Sequence, residues 1–336
     1  MVRTYHRHVA LADERIAIKC NRDARICELL FSLGLGFNCE SLEDVQLCLN
    51  MGCDPRQITY TKRYKTAQYL RFAKAQKVPM LSVDTLAELH EIHSAFPAAQ
   101  ILIRIATYTG LENDEAHDLP GLPMEMIEEF LQSAKDLALD VVGVSFHAEG
   151  VPGKPKTFMR SIRRAIQSCG SVIQISGRLG YHISLVNIGG GLNKENFPYM
   201  AAEITSALDK YIPSDCTVIA EPGQFFSRSA MAIASMIVGE RIEIMHPTRT
   251  IRHSLYLSES AFSELVMVVL NKEPISDPIL VDMMNDGLES RKSEKEAARY
   301  VIQGSTGYPL DMFGTWPILG NPNVGDWLYF GNMGGQ

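Results

Sequence analysis

The sequence predicts an α/β fold, a (β/α)8 barrel of the TIM type followed by a smaller, mostly β domain. Apolar segments alternate with amphipathic helical segments eight times within roughly the first 220 of the 336 residues. The strand segments are continuously apolar, which is typical of parallel strands covered by helices. After Glu221 the alternation stops, and Pro, Gly and Asn separate the apolar segments. We therefore expect a barrel over residues 1–223 and a β domain over residues 224–336.

Each element of the barrel is assigned from the spacing of its apolar residues and from its helix caps. The first strand contains Ile16 and Ile18 and ends at Lys19. The other predicted strands cover residues 36–39, 58–60, 79–83, 101–105, 141–147, 183–188 and 217–220. The predicted helices cover residues 23–33, 64–75, 84–95, 124–138, 156–178 and 197–211, and one more begins after its cap at Ser41. Asp84 is the predicted cap of the helix over 84–95.

Composition excludes several classes of function. Hydrophobic residues make up 46% of the chain and charged residues 21%, as in a globular protein with a sizeable core. The net charge of −7 argues against nucleic acid as a partner. The seven cysteines show neither metal-ligand spacing nor a disulfide framework, and no segment approaches the roughly 20 apolar residues of a membrane span. We expect a cytoplasmic protein without a metal site.

Lys19 is the first candidate for chemistry, because the C-terminal ends of barrel strands are where active sites form. A buried lysine can lose its proton and form a Schiff base with an aldehyde cofactor. The alternative interpretation is a strand that ends in an exposed, solubilising lysine. For a lysine considered alone the alternative is favoured, so the functional interpretation depends on the other strand ends.

Several of those strand ends carry polar or glycine residues. The candidates are Asn38, Arg104, His147, Gly189, Gly190, Gly191 and Glu221. Bare backbone N–H groups in a glycine triplet can approach a phosphate, although a tight turn is the alternative. His147 alone is more often a polar strand end than a catalytic residue, and Glu221 could merely cap a turn. Together with Lys19, these residues supply what pyridoxal 5'-phosphate requires: partners for its aldehyde, ring face, phosphate and pyridine nitrogen.

The motifs around these residues stand in the order found in one enzyme family. They are Ala17-Ile18-Lys19-Cys20-Asn21, Gly36-Phe37-Asn38-Cys39, Gly143-Val144-Ser145-Phe146-His147, Asn187-Ile188-Gly189-Gly190-Gly191, Ala220-Glu221-Pro222-Gly223 and Val324-Gly325-Asp326-Trp327. Over nearly its whole length the chain resembles the eukaryotic ornithine decarboxylases, pyridoxal-phosphate enzymes with an alanine-racemase-like barrel and a β domain.

The resemblance implies a role for each candidate residue. Lys19 would be the internal-aldimine lysine, His147 would stack on the cofactor ring, and Glu221 would pair with the pyridinium nitrogen. The triplet Gly189–Gly191 would hold the phosphate, with Gly223 and Gln224 beside it. Arg104 would be a buried barrel residue that supports the site, and Asn38 would also face the cofactor.

The chain departs from the family pattern in its cofactor motifs. Asn38 stands where the family has Asp, and Gln224 replaces the arginine that binds the phosphate. Gly150 replaces a serine that also contacts the phosphate. Because glutamine brings no positive charge, we expect weaker phosphate binding.

The substrate motifs depart further. Leu270-Asn271 aligns with the Tyr-Asp pair that meets the distal amine of the substrate. Gly307 replaces the cysteine that reprotonates the product carbon, and Tyr308 replaces an acid that binds the substrate. The family's first and final β-domain strands are also missing, so we expect a β domain truncated relative to the family.

These residues predict a pyridoxal-phosphate-dependent decarboxylase, a carboxy-lyase of polyamine or specialised amine metabolism, acting on a less basic amino acid than ornithine. The alternative is a catalytically inactive regulatory protein, like the family's antizyme inhibitors. A truncated gene product is a third possibility. The resemblance further implies a homodimer, completed by the loop at 304–311, or a heterodimer with an active paralogue.

Overall fold

The computed structural model describes residues 13–107, 120–148, 155–260, 262, 277–281 and 298–335. The chain separates into two compact units, Met1–Ser227 and Arg228–Gln336. The boundary therefore falls after Ser227 rather than after Gly223, the boundary predicted from the sequence. Among the described residues no helix has both the length and the apolar character needed to cross a membrane.

The first unit is a closed barrel of eight parallel strands in sequence order, with β1 pairing β8. The strands are β1 Asp13–Ala17, β2 Gly36–Cys39, β3 Ile58–Tyr60, β4 Met80–Val83, β5 Gln100–Arg104, β6 Asp140–Ser145, β7 Leu185–Asn187 and β8 Thr217–Ala220. The helices are α1 Ala24–Ser32, α2 Leu42–Asn50, α3 Ala67–Ala75, α4 Leu86–Ala95, α5 Ile127–Asp136, α6 Pro155–Arg178, α7 Phe197–Tyr211 and α8 Gly223–Ser227. The predicted fold class is confirmed for this part of the chain.

The barrel has two apolar regions because alternate residues of a strand face opposite sides. The larger region lies between the strands and the surrounding helices. The smaller one fills the interior and consists of Met80, Leu102, Leu185 and Ile219. Two residues further along three of these strands come Arg104, Asn187 and Glu221, which therefore face the same interior. The register thus places a polar layer above an apolar plug, at the C-terminal mouth of the barrel.

Helix caps account for the ends of two helices that follow strands at this mouth. Ser41 caps α2 as predicted: its Oγ accepts from the Asp44 amide at 3.0 Å, and the Asp44 carboxylate accepts from the Ser41 amide. The predicted cap at Asp84 is wrong. Thr85 caps α4 by accepting from the Glu88 amide. Asp84 is buried instead, 3.5 Å from Arg63 Nε, so its side chain does not reach the helix terminus.

The second unit contains a six-stranded sheet in the order β11-β14-β9-β10-β12-β13. Its strands are β9 Ile233–Met245, β10 Thr250–Leu257, β11 Ile279–Val281, β12 Ala298–Gln303, β13 Met312–Ile318 and β14 Trp327–Phe330. The strands β10 and β12 pair in parallel, and the other pairs are antiparallel. Leu255, Ile302 and Leu328 lie in its core. The expected mostly β domain is confirmed, while the apolar segment at 265–270 lies outside the described residues.

Candidate active site

The predicted barrel residues come together at the C-terminal mouth. Gly190 lies between the backbone of Glu221 and the ring of His147: a Cβ on Gly190 would be 2.8 Å from the Glu221 carbonyl oxygen and 3.4 Å from His147 Cε1. Burial lowers the pKa of His147 and raises that of Glu221; the charges of Lys19 and Arg104 add to the first shift and oppose the second, so they act on both groups. The ends of β1, β5, β6, β7 and β8 therefore contribute to one site.

Lys19 follows β1 in a single 3-10 turn, Ile18–Cys20. Ile18 and Cys20 take the buried positions of this turn, and the Lys19 side chain remains 48% exposed. Its Nζ donates a hydrogen bond to Glu40 Oε1 at 2.6 Å. Lys19 is therefore half-exposed rather than buried, because the turn directs the ammonium to a carboxylate at the rim.

Glu221 is the first residue after β8 and is fixed by Asn187, the last residue of β7. The Asn187 amide donates to Glu221 Oε1 at 2.7 Å, and its Oδ1 accepts from the Gly189 amide at 2.9 Å. Burial raises the pKa of Glu221, while the Asn187 hydrogen bond and then Lys19, Arg104 and Asn38 oppose that rise. Asn187 therefore joins the carboxylate to the glycine triplet. Asn187 was not among the predicted site residues, although a polar residue at the end of an apolar strand was the available signal.

The glycine triplet adopts a backbone that other residues would strain. Gly189 and Gly191 have φ values of +67° and +84°. A Cβ on Gly189 would collide with the Phe146 carbonyl oxygen, and one on Gly191 would lie 2.7 Å from the Phe158 ring. Glycine therefore satisfies both the left-handed backbone and the close packing. The result is a stretch of bare backbone beside His147 and Glu221, as the sequence predicted.

His147 follows β6 and is held through its backbone, since its carbonyl accepts from Thr107 Oγ1 at 2.8 Å. Burial, together with the nearby Arg104 and Lys19 cations, lowers the pKa of His147 to about 4. The imidazole is therefore neutral near pH 7. A neutral ring can pack its face against a planar, electron-poor heterocycle without the cost of burying a charge.

Asn38 lies in β2 and is only 3% exposed. Neither of its amide atoms makes a hydrogen bond of normal geometry, although the amide is close enough to Glu221 to help lower the carboxyl pKa. A buried amide without good partners costs free energy, of order 1–3 kcal/mol. Such a group at the mouth of a barrel is suited to a polar ligand.

Arg104, the last residue of β5, is half-buried rather than buried as expected. Burial raises the pKa of Asp84, and the Arg104 guanidinium opposes that rise. Arg104 forms no side-chain hydrogen bond or ion pair with the described residues. Arg104 thus supplies a positive charge to the interior, and no acid in the described part of the chain neutralises it by direct contact.

Gly223 and Gln224 begin the short helix α8. A Cβ on Gly223 would lie 2.9 Å from Cys20 Cβ and even closer to Cys20 Sγ, so this glycine lets α8 pack on the turn that carries Lys19. Burial raises the pKa of Cys20 to about 11, and the thiol is therefore not an active nucleophile. Gln224 is half-buried in α8.

The remaining candidates do not belong to the described part of the barrel. Asn271 and Gly150 lie outside the described residues. Gly307 and Tyr308 lie in the second unit, in the loop between β12 and β13. Asp311 organises this loop: its carboxylate accepts from the Thr306 amide at 3.0 Å and from the Thr306 hydroxyl at 2.6 Å. Tyr308 is 57% exposed and packs against Phe262, with ring centroids 5.8 Å apart.

Comparison with known proteins assigns the chain to a family. Residues 2–228 match the model of the pyridoxal-dependent decarboxylase, pyridoxal binding domain. The chain belongs to the pyridoxal-dependent decarboxylase family. The match covers the barrel, including every candidate site residue in the first unit, and it confirms the resemblance stated from the motifs. For the family, pyridoxal phosphate is the cofactor of this domain.

Two curated relatives and one solved structure show the extent of the similarity. Ornithine decarboxylase of Neurospora crassa is 30% identical over 95% of this chain and 70% of its own length. Antizyme inhibitor 2 of Xenopus laevis is 29% identical, with the same coverage of both chains. The arginine decarboxylase of Paramecium bursaria Chlorella virus, solved with agmatine, has a TM-score of 0.84 and 25% identity, covering 99% of this chain and 86% of the other. The chain thus spans about 70% of the length of these curated relatives.

Proposed function

We propose that this protein is a pyridoxal-phosphate-dependent carboxy-lyase that decarboxylates an amino acid with a less basic side chain than ornithine. One observation carries the proposal. Asn187 holds the Glu221 carboxylate and the bare glycine triplet in one hydrogen-bonded unit, beside a neutral imidazole. That combination offers separate partners for a pyridine nitrogen, a phosphate and a planar ring.

The residues present fit the cofactor on structural grounds. A side chain at any glycine of the triplet would occupy the cradle, and the buried Asn38 amide lacks partners of good geometry. Glu221 would face the pyridine nitrogen, His147 the ring, and Gly189–Gly191 the phosphate. When bound, pyridoxal phosphate supplies an aldehyde that condenses with amines and a ring that accepts the electron pair left by departing carbon dioxide.

Neighbouring residues stabilise the negative charge of Glu221, which burial disfavours. Asn187 donates one hydrogen bond to Oε1, and the Lys19 and Arg104 cations contribute attraction. An ionised Glu221 can hold a proton on a ring nitrogen by a charge-assisted hydrogen bond, which is stronger than a neutral one. Lys19 is the primary amine available for the aldehyde, and Arg104 and His147 shape the polar surroundings.

The phosphate side of the site lacks charge, which gives a first prediction. Gln224→Arg should tighten pyridoxal-phosphate binding by up to about 3 kcal/mol, roughly 100-fold in dissociation constant, because a cation would replace a neutral donor. Fluorescence titration of the purified protein measures the change. Gln224→Lys provides the matched cation without the planar fork and should tighten binding less. An unchanged dissociation constant for the arginine variant would show that Gln224 does not face the phosphate.

The substrate specificity gives a second prediction. Tyr308 and Asn271 stand where acids would meet a distal ammonium, and a charged hydrogen bond of that kind contributes about 1.5–3 kcal/mol. We therefore expect turnover of ornithine and lysine to be lower than that of an uncharged amino acid of similar size. Carbon dioxide release from a panel of amino acids tests this. Robust decarboxylation of ornithine by the unmodified protein would refute the specificity proposed here.

Assembly and location are part of the same proposal. The Asp311-organised loop, with Tyr308 exposed at its surface, would complete a neighbouring site in a two-fold homodimer. A heterodimer with an active paralogue is the alternative. Six of the seven cysteines are buried free thiols, which fits a reducing compartment, and we place the protein in the cytoplasm.

A second candidate function is supported by one comparison. The similarity to antizyme inhibitor 2 is nearly as strong as that to ornithine decarboxylase. On this alternative the chain keeps the fold, loses turnover and binds a regulator or an active paralogue. The two functions differ in a simple observation, since only the enzyme must release carbon dioxide once it is loaded with pyridoxal phosphate.

A further inference from the structure

Glu40 contacts Lys19, the residue whose amine is to react with the aldehyde. Neither the motifs nor the resemblance gives Glu40 a role. It follows β2 directly, and its Oε1 lies 2.6 Å from Lys19 Nζ. The two side chains are 43% and 48% exposed, so the ion pair lies at the rim rather than in the interior. Among the described residues Lys19 forms no other ion pair.

The backbone that carries Glu40 is firmly held. The Glu40 amide donates to Asp44 Oδ2 at 3.1 Å, and the next residue, Ser41, forms the capping box of α2 with the same acid. Asp44 is 1% exposed and also accepts from Arg22 Nε at 2.8 Å. On the other side, Gly223 packs against Cys20 in the turn that carries Lys19. Local structure therefore fixes the backbone at both Lys19 and Glu40, and this places their two charges opposite each other.

An ion pair at this position opposes the reaction of the amine. Condensation with an aldehyde requires neutral Nζ: the nitrogen attacks the carbonyl carbon, a C=N bond replaces C=O, and water leaves. The extra proton of the ammonium must first pass to solvent. The Glu40 carboxylate at 2.6 Å holds the ammonium in place, and an exposed ion pair of this kind changes an equilibrium by about two- to fivefold.

We propose that Glu40 restrains Lys19, by holding its ammonium at the rim so that the amine reacts with an aldehyde only when the ion pair opens. Glu40 is a positioning residue in this account, since it acts through Lys19. The other titratable groups that interact with Lys19 are His147, Glu221 and Cys20. His147 and Cys20 are neutral near pH 7, and Glu221 is shared with Asn187 and Arg104. The inference rests on the proposed function only where it takes pyridoxal phosphate as the aldehyde.

The test measures the reactivity of the Lys19 amine in the full chain without relying on turnover. Trace acetylation with acetic anhydride from about pH 6 to pH 10, followed by mass spectrometry of the Lys19 peptide, reports the neutral amine at each pH. Glu40→Gln should raise Lys19 labelling about two- to fivefold near pH 7, because the ion pair that holds the amine is gone. Borohydride trapping of pyridoxal phosphate on Lys19 should speed up by a similar factor.

Two variants serve as controls. Glu43→Gln makes the same change of charge at an exposed residue in the first turn of α2, away from Lys19, and should leave the profile unchanged. Glu40→Asp keeps the charge on a shorter side chain and should fall between the wild type and Glu40→Gln.

Each outcome decides the proposal. An identical profile for Glu40→Gln and the wild type would overturn it, and so would slower labelling, which would make Glu40 a proton acceptor for Lys19 instead. If labelling depends on Glu40 but pyridoxal phosphate never attaches to Lys19, the proposed function fails while the role of Glu40 stands.

Discussion

Replacing Gly190 with alanine is expected to lower the free energy of unfolding by about 1–3 kcal/mol and to abolish the binding of pyridoxal phosphate. The added Cβ would lie 2.8 Å from the Glu221 carbonyl oxygen and 3.4 Å from the His147 ring. The closer neighbour is backbone, which cannot rotate away, so the β7 and β8 loops must separate. Urea unfolding measures the stability, and a fluorescence titration measures cofactor binding.

Gly177→Ala is the matched control for this substitution. Gly177 lies in α6, and a Cβ there would meet no atom within 4 Å. Alanine in a helix should therefore stabilise the protein by about 0.5–1 kcal/mol. If Gly190→Ala keeps wild-type stability and wild-type cofactor affinity, the glycine triplet beside Glu221 and His147 does not bind the cofactor phosphate.

Acid should destabilise the protein through His147. In the folded chain burial and two nearby cations lower the pKa of His147 to about 4, whereas the unfolded chain keeps the ordinary value of 6.5. As the pH falls below 6.5, His147 takes up a proton in the unfolded state but stays neutral in the folded state. Stability is therefore lost between about pH 6.5 and pH 4, by up to about 3 kcal/mol, and the loss ends below the folded pKa.

The variant His147→Asn should remove this component of the pH dependence. Glu221 contributes with the opposite sign, because its raised pKa lets the folded state take up a proton first as the pH falls. The Glu221 contribution is present in both the wild type and His147→Asn. It therefore largely cancels when the stabilities of the two proteins are subtracted at each pH. His182→Asn, at an exposed histidine of the same unit, is the control for the replacement of a histidine by asparagine. Urea unfolding at a series of pH values provides the comparison. A constant difference between wild type and His147→Asn across the window would contradict the account.

The barrel could be predicted from local pattern because its strands are apolar and its helices have clear periods. The strands over 36–39, 58–60 and 217–220 and the helix over 197–211 end where the sequence predicts. The cap of α4 was not predictable in the same way. Asp84 and Thr85 are both good capping residues, and the choice depends on burial of the Asp84 carboxylate near Arg63, which is a tertiary effect.

The candidate site shows the same division. Strand ends located Lys19, His147, the glycine triplet and Glu221, because the C-terminal ends of parallel strands meet at one mouth. The contacts between them were not readable from sequence. Asn187 and Glu221 are 34 residues apart, and Lys19 and Glu40 are 21 residues apart. Only the strand register decides that Asn187 faces the interior and that the Lys19 turn opens toward Glu40 rather than into the barrel.

The central claim is that Lys19 captures pyridoxal phosphate at the mouth of this barrel. The most direct measurement is the absorbance spectrum of the full chain with added pyridoxal phosphate, followed by borohydride reduction and peptide mass spectrometry, with Lys19→Ala alongside. We expect a band at the edge of the visible region and a reduced adduct on Lys19, both absent from Lys19→Ala. A wild-type protein that stays colourless at saturating pyridoxal phosphate, with no adduct on Lys19, would contradict the account.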